Sequence, residues 1–201
     1  MKGLLIDWGG VLTTNVFDSF REFCVAEGLA PDAVKRLFRE QPRARELVRG
    51  LETEALSADE FGERLGELLG LEDRTRLIER LFGGVRADER MLAAVRTVRA
   101  AGFRTGLISN SMGGATYDRT LFPELFDGVV ISGDVGMHKP QPEIFLLGAE
   151  RAGVAPELCV FVDDLRENCD GAAAVGMTSV LHRGADTTLP ELRRLLGVEL
   201  D

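Results

Sequence analysis

Met1-Lys2-Gly3-Leu4-Leu5-Ile6-Asp7-Trp8-Gly9-Gly10-Val11-Leu12-Thr13-Thr14 opens the chain, and the reading of this stretch decides the fold. Gly3 to Ile6 is a short apolar run bounded by glycines, the pattern of a buried strand. A carboxylate follows at its C-terminal end, where open α/β sheets put their ligands. Asp7 is therefore the first candidate for chemistry, although an isolated Asp-x-Gly-Gly more often caps a turn. What decides between these roles lies further along.

After Leu12 the pattern turns helical for a long interval. Asn15 is placed to cap a helix carrying Val16, Phe17, Phe20, Phe23 and Cys24, with Gly28 as its stop. Pro31 and Asp32 open a second segment with Val34, Leu37 and Phe38, and Arg43 to Val48 reads as a third. Ser57 and Glu60 form a capping box before Phe61, Leu65, Leu68 and Leu69. Arg74 to Phe82 closes the interval at Gly83-Gly84. Short amphipathic helices with no strand between them predict a small helical bundle inserted after the first strand.

From Asp88 onward helices and strands alternate. Met91 to Ala100 is a helix stopped by Gly102, and Thr105 to Ile108 is a strand ending in Ser109-Asn110-Ser111. Val129 to Ile131, Val160 to Val162 and Thr178 to Leu181 read as further strands. Between them lie a turn-rich stretch from Ser132 to Pro142, a helix through Ala149, and a helix from Arg166 to Val175; Leu189 to Leu196 is a terminal helix. Such alternation predicts βαβ units, a parallel sheet and right-handed crossovers. The seams fall near Asn15 and Ala87. The expected domains are a core of residues 1–14 and 87–201, and a helical insertion of residues 15–86.

A chain of 201 residues is long enough for one domain with a sizeable insertion. Hydrophobic residues at 45% and charged residues at 28% are ordinary for a globular protein. The net charge of −9 argues against general binding to nucleic acid or an anionic membrane. No apolar run approaches the roughly 20 residues of a membrane span, and no basic segment with a cleavage site leads the chain, so a cytoplasmic location is expected. Cys24, Cys159 and Cys169 are odd in number and set among apolar residues, which predicts buried free thiols.

Polar residues fall at four strand ends: Asp7, Ser109-Asn110, Lys139 in the loop after the third strand, and Asp163-Asp164. In a parallel sheet these converge at one edge. Together they offer a carboxylate nucleophile, hydroxyl and amide donors, a fixed cation, and an acidic pair suited to a hard divalent ion. Phosphoryl transfer to a carboxylate needs this set. A phosphomonoester carries about −1.5 to −2 charge, so an anionic nucleophile approaches only once that charge is neutralised. Mg²⁺ shared by Asp7 and Asp163, with Asp164 reaching it through water or orienting other groups, together with Lys139, would do so. Ser109 and backbone amides near Asn110 and Gly10 would then cradle the phosphate oxygens.

Each residue has a plainer role when taken alone. Ser109-Asn110 could form a turn, Lys139 could be a solvated loop lysine, and Asp163-Asp164 could serve a helix N-terminus. Lys139 is one of only three lysines, with Lys2 and Lys35, in an arginine-rich chain. An acidic pair directly after Val160-Phe161-Val162 is costly at a sheet edge without a cation.

The ordered set Leu4-Leu5-Ile6-Asp7-Trp8-Gly9-Gly10-Val11-Leu12, Leu107-Ile108-Ser109-Asn110, Lys139-Pro140-Gln141-Pro142-Glu143-Ile144-Phe145 and Phe161-Val162-Asp163-Asp164, with Asn168 and Gly171-Ala172 following, resembles the haloacid dehalogenase superfamily of hydrolases over the whole chain. The resemblance implies a Rossmann-like, three-layer α/β core with a parallel sheet and an inserted α-helical cap of the type seen in phosphatases related to the N-terminal domain of soluble epoxide hydrolase. It also implies that Asp7 becomes an aspartyl-phosphate, that Asp7, the Gly9 carbonyl and Asp163 bind Mg²⁺, and that Ser109, Asn110 and Lys139 hold the phosphoryl group. The substrate would be a small phosphorylated molecule. One position departs from the pattern: Gly9 stands where phosphatases of the family usually carry a general-acid aspartate, a group worth about 10² to 10⁴ in rate. A good leaving group, such as that of a sugar 1-phosphate or an acyl phosphate, would need this acid less.

Two rival readings stand beside the Mg²⁺-dependent phosphatase. In a 2-haloacid dehalogenase Asp7 would attack carbon without a metal, but Asp163-Asp164 would repel a carboxylate substrate. A non-catalytic binder of a phosphorylated metabolite would tolerate Gly9. Arg39, Arg43 and Arg45 are candidates for a second anionic group on the substrate, against their use as a solvated helix face. His138 is a weak candidate for the missing proton donor, His182 is expected to be structural or exposed, and Trp8 is expected to pack.

Overall fold

The computed structural model describes residues 1–113 and 117–201. The strands are β1 (Gly3–Ile6), β2 (Arg104–Ser109), β3 (Gly128–Ile131), β4 (Cys159–Asp163) and β5 (Thr178–Leu181). The helices are α1 (Val16–Ala26), α2 (Ala33–Glu40), α3 (Pro42–Glu52), α4 (Ala58–Leu69), α5 (Leu77–Leu81), α6 (Glu89–Ala100), α7 (Phe122–Leu125), α8 (Ser132–Val135), α9 (Pro142–Ala152), α10 (Arg166–Ala174) and α11 (Ala185–Leu196). The strands form one parallel sheet in the order β3-β2-β1-β4-β5. The expected α/β architecture is therefore what the chain adopts, with the opening strand at the centre.

The residue contacts divide the chain into two compact units, each described by itself. The first comprises Met1–Thr13, Ala87–Asn110 and Tyr117–Asp201. Its layering follows from the two-residue alternation of side chains along a strand. Leu4 and Ile6 face a core with Met91, Val95 and Val98 of α6 and Leu189 and Leu192 of α11. Leu5, one position out of phase, joins Ile144, Phe145 and Ala149 of α9 and Ala172 of α10 on the other face. Helices therefore cover both sides of the sheet, and each fully buried leucine contributes roughly 1.5–3 kcal/mol.

Register fixes the site-bearing edge. Ile6 pairs with Leu107 on one side and with Val162 on the other. Asp7, the next residue, donates its backbone N–H to Val162 O at 2.9 Å, which brings it abreast of Asp163. Ser109 ends β2 beside Ile131.

The second unit comprises Thr14–Arg86 and, of the described residues, 111–113. Its core gathers Phe20, Phe23, Val34, Leu37, Leu47, Leu51, Phe61, Leu65 and Leu77 from α1 to α5. Asn15 caps α1 by accepting from Phe17 N at 2.8 Å, and Ser57 and Glu60 make the capping box of α4. The expected helix from Arg74 to Phe82 is shorter: Asp73 Oδ1 takes Thr75 N at 2.9 Å and Thr75 Oγ1 at 2.6 Å, and Arg76 sits at φ +48°, so α5 starts only at Leu77.

Other boundaries moved for local reasons. Asp88 Oδ1 accepts from Arg90 N and Met91 N at 3.1 and 3.0 Å, which starts α6 two residues before the apolar repeat. Thr187 and Thr188 donate their backbone N–H groups to Gly184 O, so α11 forms a turn ahead of Leu189 and carries Pro190 within it. The turn-rich stretch after β3 begins with the short helix α8. Cys24, Cys159 and Cys169 are buried free thiols. No helix among the described residues is long and apolar enough to cross a membrane.

Candidate active site

Four chain segments of the first unit meet at the C-terminal edge of its sheet. Asp7, Ser109, Lys139 and Asp163 are all buried there, and Asp164 is half-buried. Lys139 Nζ lies 2.6 Å from Asp163 Oδ2 and 2.8 Å from Asp7 Oδ1, bridging the ends of two neighbouring strands. The contact with Asp7 is an ion pair. A surface lysine would not be drawn in this way: Lys139 is 3% exposed, with its ammonium also 5.6 Å from the Phe161 ring centroid.

Each group is held by others. Asn110 brackets the backbone of Lys139, accepting from its N–H at 2.8 Å and donating Nδ2 to its carbonyl at 3.2 Å. The side chain of Asn110, expected on the phosphate, also positions the lysine backbone. Asn168 Nδ2 reaches both oxygens of Asp163, at 3.0 and 3.1 Å, and Leu165 N donates to Oδ1 at 2.8 Å. Gly10 turns with φ +73° and donates its N–H to Thr13 Oγ1 at 3.0 Å. Gly9 is half-buried in the same turn.

The electrostatics are those of an acidic cluster short of positive charge. One ligand oxygen from each of Asp7, Asp163 and Asp164 lies within 4.8 Å of the others. Burial raises the Asp7 carboxyl to about 6, Lys139 opposing and Asp163 adding to the shift. Burial, with Asp7 and Asp163 as like-charged neighbours, raises Asp164 to about 7. Burial works against the charge of Lys139, yet Asp163 and Asp7 outweigh it and hold the ammonium well above its ordinary value. Three carboxylates against one ammonium leave an uncompensated negative charge in a site of low polarisability. An all-oxygen donor set of this kind fits a hard divalent cation such as Mg²⁺.

Other expectations resolve differently. Trp8 packs, with its ring centroid 5.8 Å from Tyr117 and 5.6 Å from Phe122. His182 is buried with Nδ1 2.9 Å from Thr188 Oγ1, a structural role. His138 is half-buried, its Nδ1 3.0 Å from Lys139 O. Arg39, Arg43 and Arg45 are exposed in the second unit, where Arg39 pairs with Glu40 at 2.6 Å and Arg45 donates to Arg39 O. Sequence reasoning missed Tyr117, whose Oη lies 3.0 Å from Ser109 Oγ. It is the only tyrosine of the chain, and no periodicity marks it.

A family model for haloacid dehalogenase-like hydrolases matches residues 1–176. The chain is 30% identical over 150 residues to bifunctional epoxide hydrolase 2 of Sus scrofa, covering 71% of this chain and 26% of that protein. It is 32% identical over 99 residues to the glyceraldehyde 3-phosphate phosphatase of Methanopyrus kandleri, covering 47% of this chain and 42% of that one. Both alignments span less than half of the relative's own length. Among solved structures, a predicted HAD-like family hydrolase from Porphyromonas gingivalis superposes with a TM-score of 0.75 at 25% identity, covering 98% of both chains.

Proposed function

Because the chain belongs to the haloacid dehalogenase-like hydrolase family, we propose that it is a Mg²⁺-dependent phosphatase of a small phosphorylated metabolite, working through an aspartyl-phosphate on Asp7. The observation that carries this reading is the cluster of Asp7, Asp163 and Asp164 with Lys139 set between the first two. Kinship with the phosphatase of M. kandleri supports it.

In this reading Asp7 attacks phosphorus with a carboxylate oxygen, the ester oxygen departs with its electron pair, and water then cleaves the new P–O bond to regenerate Asp7. Asp7, Asp163 and the Gly9 carbonyl, together with Asp164, would hold Mg²⁺, which would supply a Lewis acid to offset the charge of the phosphoryl oxygens. Lys139 adds a fixed positive charge, and Asn110 and Asn168 hold Lys139 and Asp163 in place. Ser109 and backbone amides near Asn110 donate to the transferring group, while the Gly10 N–H is held by Thr13 Oγ1.

Gly9 has no side chain to protonate the departing oxygen. We therefore assign a substrate with a good leaving group, such as an anomeric or acyl phosphate. Residues 15–86 are assigned the role of a cap domain that selects the substrate, and residues 1–14 and 87–201 that of the core domain.

Metal removal tests the proposal against the dehalogenase reading. EDTA should abolish hydrolysis of an activated phosphate ester and added Mg²⁺ should restore it. Asp7→Asn should lower kcat by about 10³ or more while leaving the fold intact by circular dichroism. Turnover that survives EDTA would reject the phosphatase, and activity that survives Asp7→Asn would reject the nucleophile.

A further inference from the structure

The hydroxyl of Ser109 has a half-buried neighbour that the catalytic reading does not use. Tyr117 Oη stands 3.0 Å from Ser109 Oγ and 3.1 Å from the Asn110 carbonyl oxygen. Its ring meets Trp8 at a tilt and Phe122 edge-on, with centroids 5.8 and 6.2 Å away, and Trp8 directly follows Asp7 in the chain. Burial pushes the phenol well above its ordinary pKa, so it remains a neutral hydroxyl with one hydrogen to give.

That single hydrogen sets a choice. If Tyr117 donates to Asn110 O, its own oxygen accepts from Ser109, and the serine hydrogen is drawn toward the phenol. If Tyr117 donates to Ser109 Oγ, one serine lone pair is filled and the serine hydrogen is left to point elsewhere. Among the described residues the other acceptor recorded for it, Asn110 O, is 3.5 Å from Oγ, at the outer limit of a hydrogen bond. A phosphoryl oxygen can only accept, so its arrival selects the second arrangement. The ring contacts with Trp8 and Phe122 keep Oη within reach of Oγ in both.

We propose that Tyr117 is a positioning residue that turns Ser109 into a hydrogen donor toward a bound phosphoryl oxygen, its ring fixed by Trp8 and Phe122. The proposal rests on the phosphatase reading of the same site. It assigns Tyr117 an effect on phosphate affinity that passes through Ser109 alone.

A double-mutant cycle on the full chain with Mg²⁺ tests it, with inorganic phosphate as the probe, read by calorimetry. Tyr117→Phe keeps the stacked ring and removes one hydrogen bond, and should weaken phosphate about fivefold, the equivalent of roughly 1 kcal/mol. KM for a phosphate ester should rise by a similar factor with kcat little changed, because the bond is made in ground and transition states alike. Combined with Ser109→Ala, the substitution should add nothing, since the two act as a unit. The melting temperature of Tyr117→Phe should stay near that of the parent. A Tyr117→Phe protein that binds phosphate as tightly as the parent overturns the inference. So does a weakening that is equal with and without the serine. A parent protein that fails to bind phosphate at all overturns the phosphatase reading and the inference with it.

Discussion

At Gly10 the backbone passes through φ +73°, and a Cβ built there would stand 2.6 Å from Asp164 Oδ2. Two demands meet on one residue: a left-handed turn, and room for the Asp164 side chain beside the loop that follows Asp7. A non-glycine residue in that conformation costs roughly 1–2 kcal/mol before any contact is counted. Gly10→Ala should therefore lower the melting temperature by about 2–8 °C. By displacing Asp164 it should also raise the Mg²⁺ concentration needed for half-maximal activity several-fold. Unchanged melting together with unchanged metal dependence would contradict this account of the turn. The role of Asn110 shows what one residue's identity leaves unsaid. Its position after β2 was legible, but which partner its amide would choose depended on where the Lys139 loop folds back, a tertiary fact.

At the scale of elements, the strands were the most legible. Gly3 to Ile6 is apolar at every position because helices cover both faces, and a run of that kind bounded by glycines has few other readings. The ends of helices were less so. Asp88 and Gly184 start α6 and α11 through polar groups that lie ahead of the apolar repeat, so periodicity alone began both helices late. Asp73 and Arg76 stop α5 from extending backward, through a side-chain turn and a left-handed residue that an apolar pattern does not encode. Gly128 shows a further limit. A Cβ there would come within 2.4 Å of the Arg151 backbone, so β3 and α9 meet across a bare glycine, and nothing local to either segment announces the approach. Tyr117 belongs to the same class: its significance is a distance to Ser109 across a loop, not a spacing.

For the molecule as a whole, the acidic cluster links metal, pH and stability. The ordinary aspartate pKa of 3.8 is raised in the folded chain to about 6 at Asp7 and about 7 at Asp164. A carboxyl whose folded pKa exceeds its unfolded one contributes stability that is complete below the unfolded value and is lost as pH climbs through the folded value. Metal-free protein should thus lose stability between about pH 4 and pH 7. Mg²⁺ reverses the local field, and mass action stabilises the state that binds it, so its gain in melting temperature should be larger near pH 7.5 than near pH 5. A metal effect that does not grow with pH would argue against these carboxylates as ligands. The central claim is narrower still, that Asp7 accepts a phosphoryl group. Crystals grown with Mg²⁺ and beryllium fluoride test it most directly. A tetrahedral BeF₃ bonded to an Asp7 carboxylate oxygen, with Mg²⁺ bound by Asp7 and Asp163, is the predicted result; a bare Asp7 in those crystals would contradict the account.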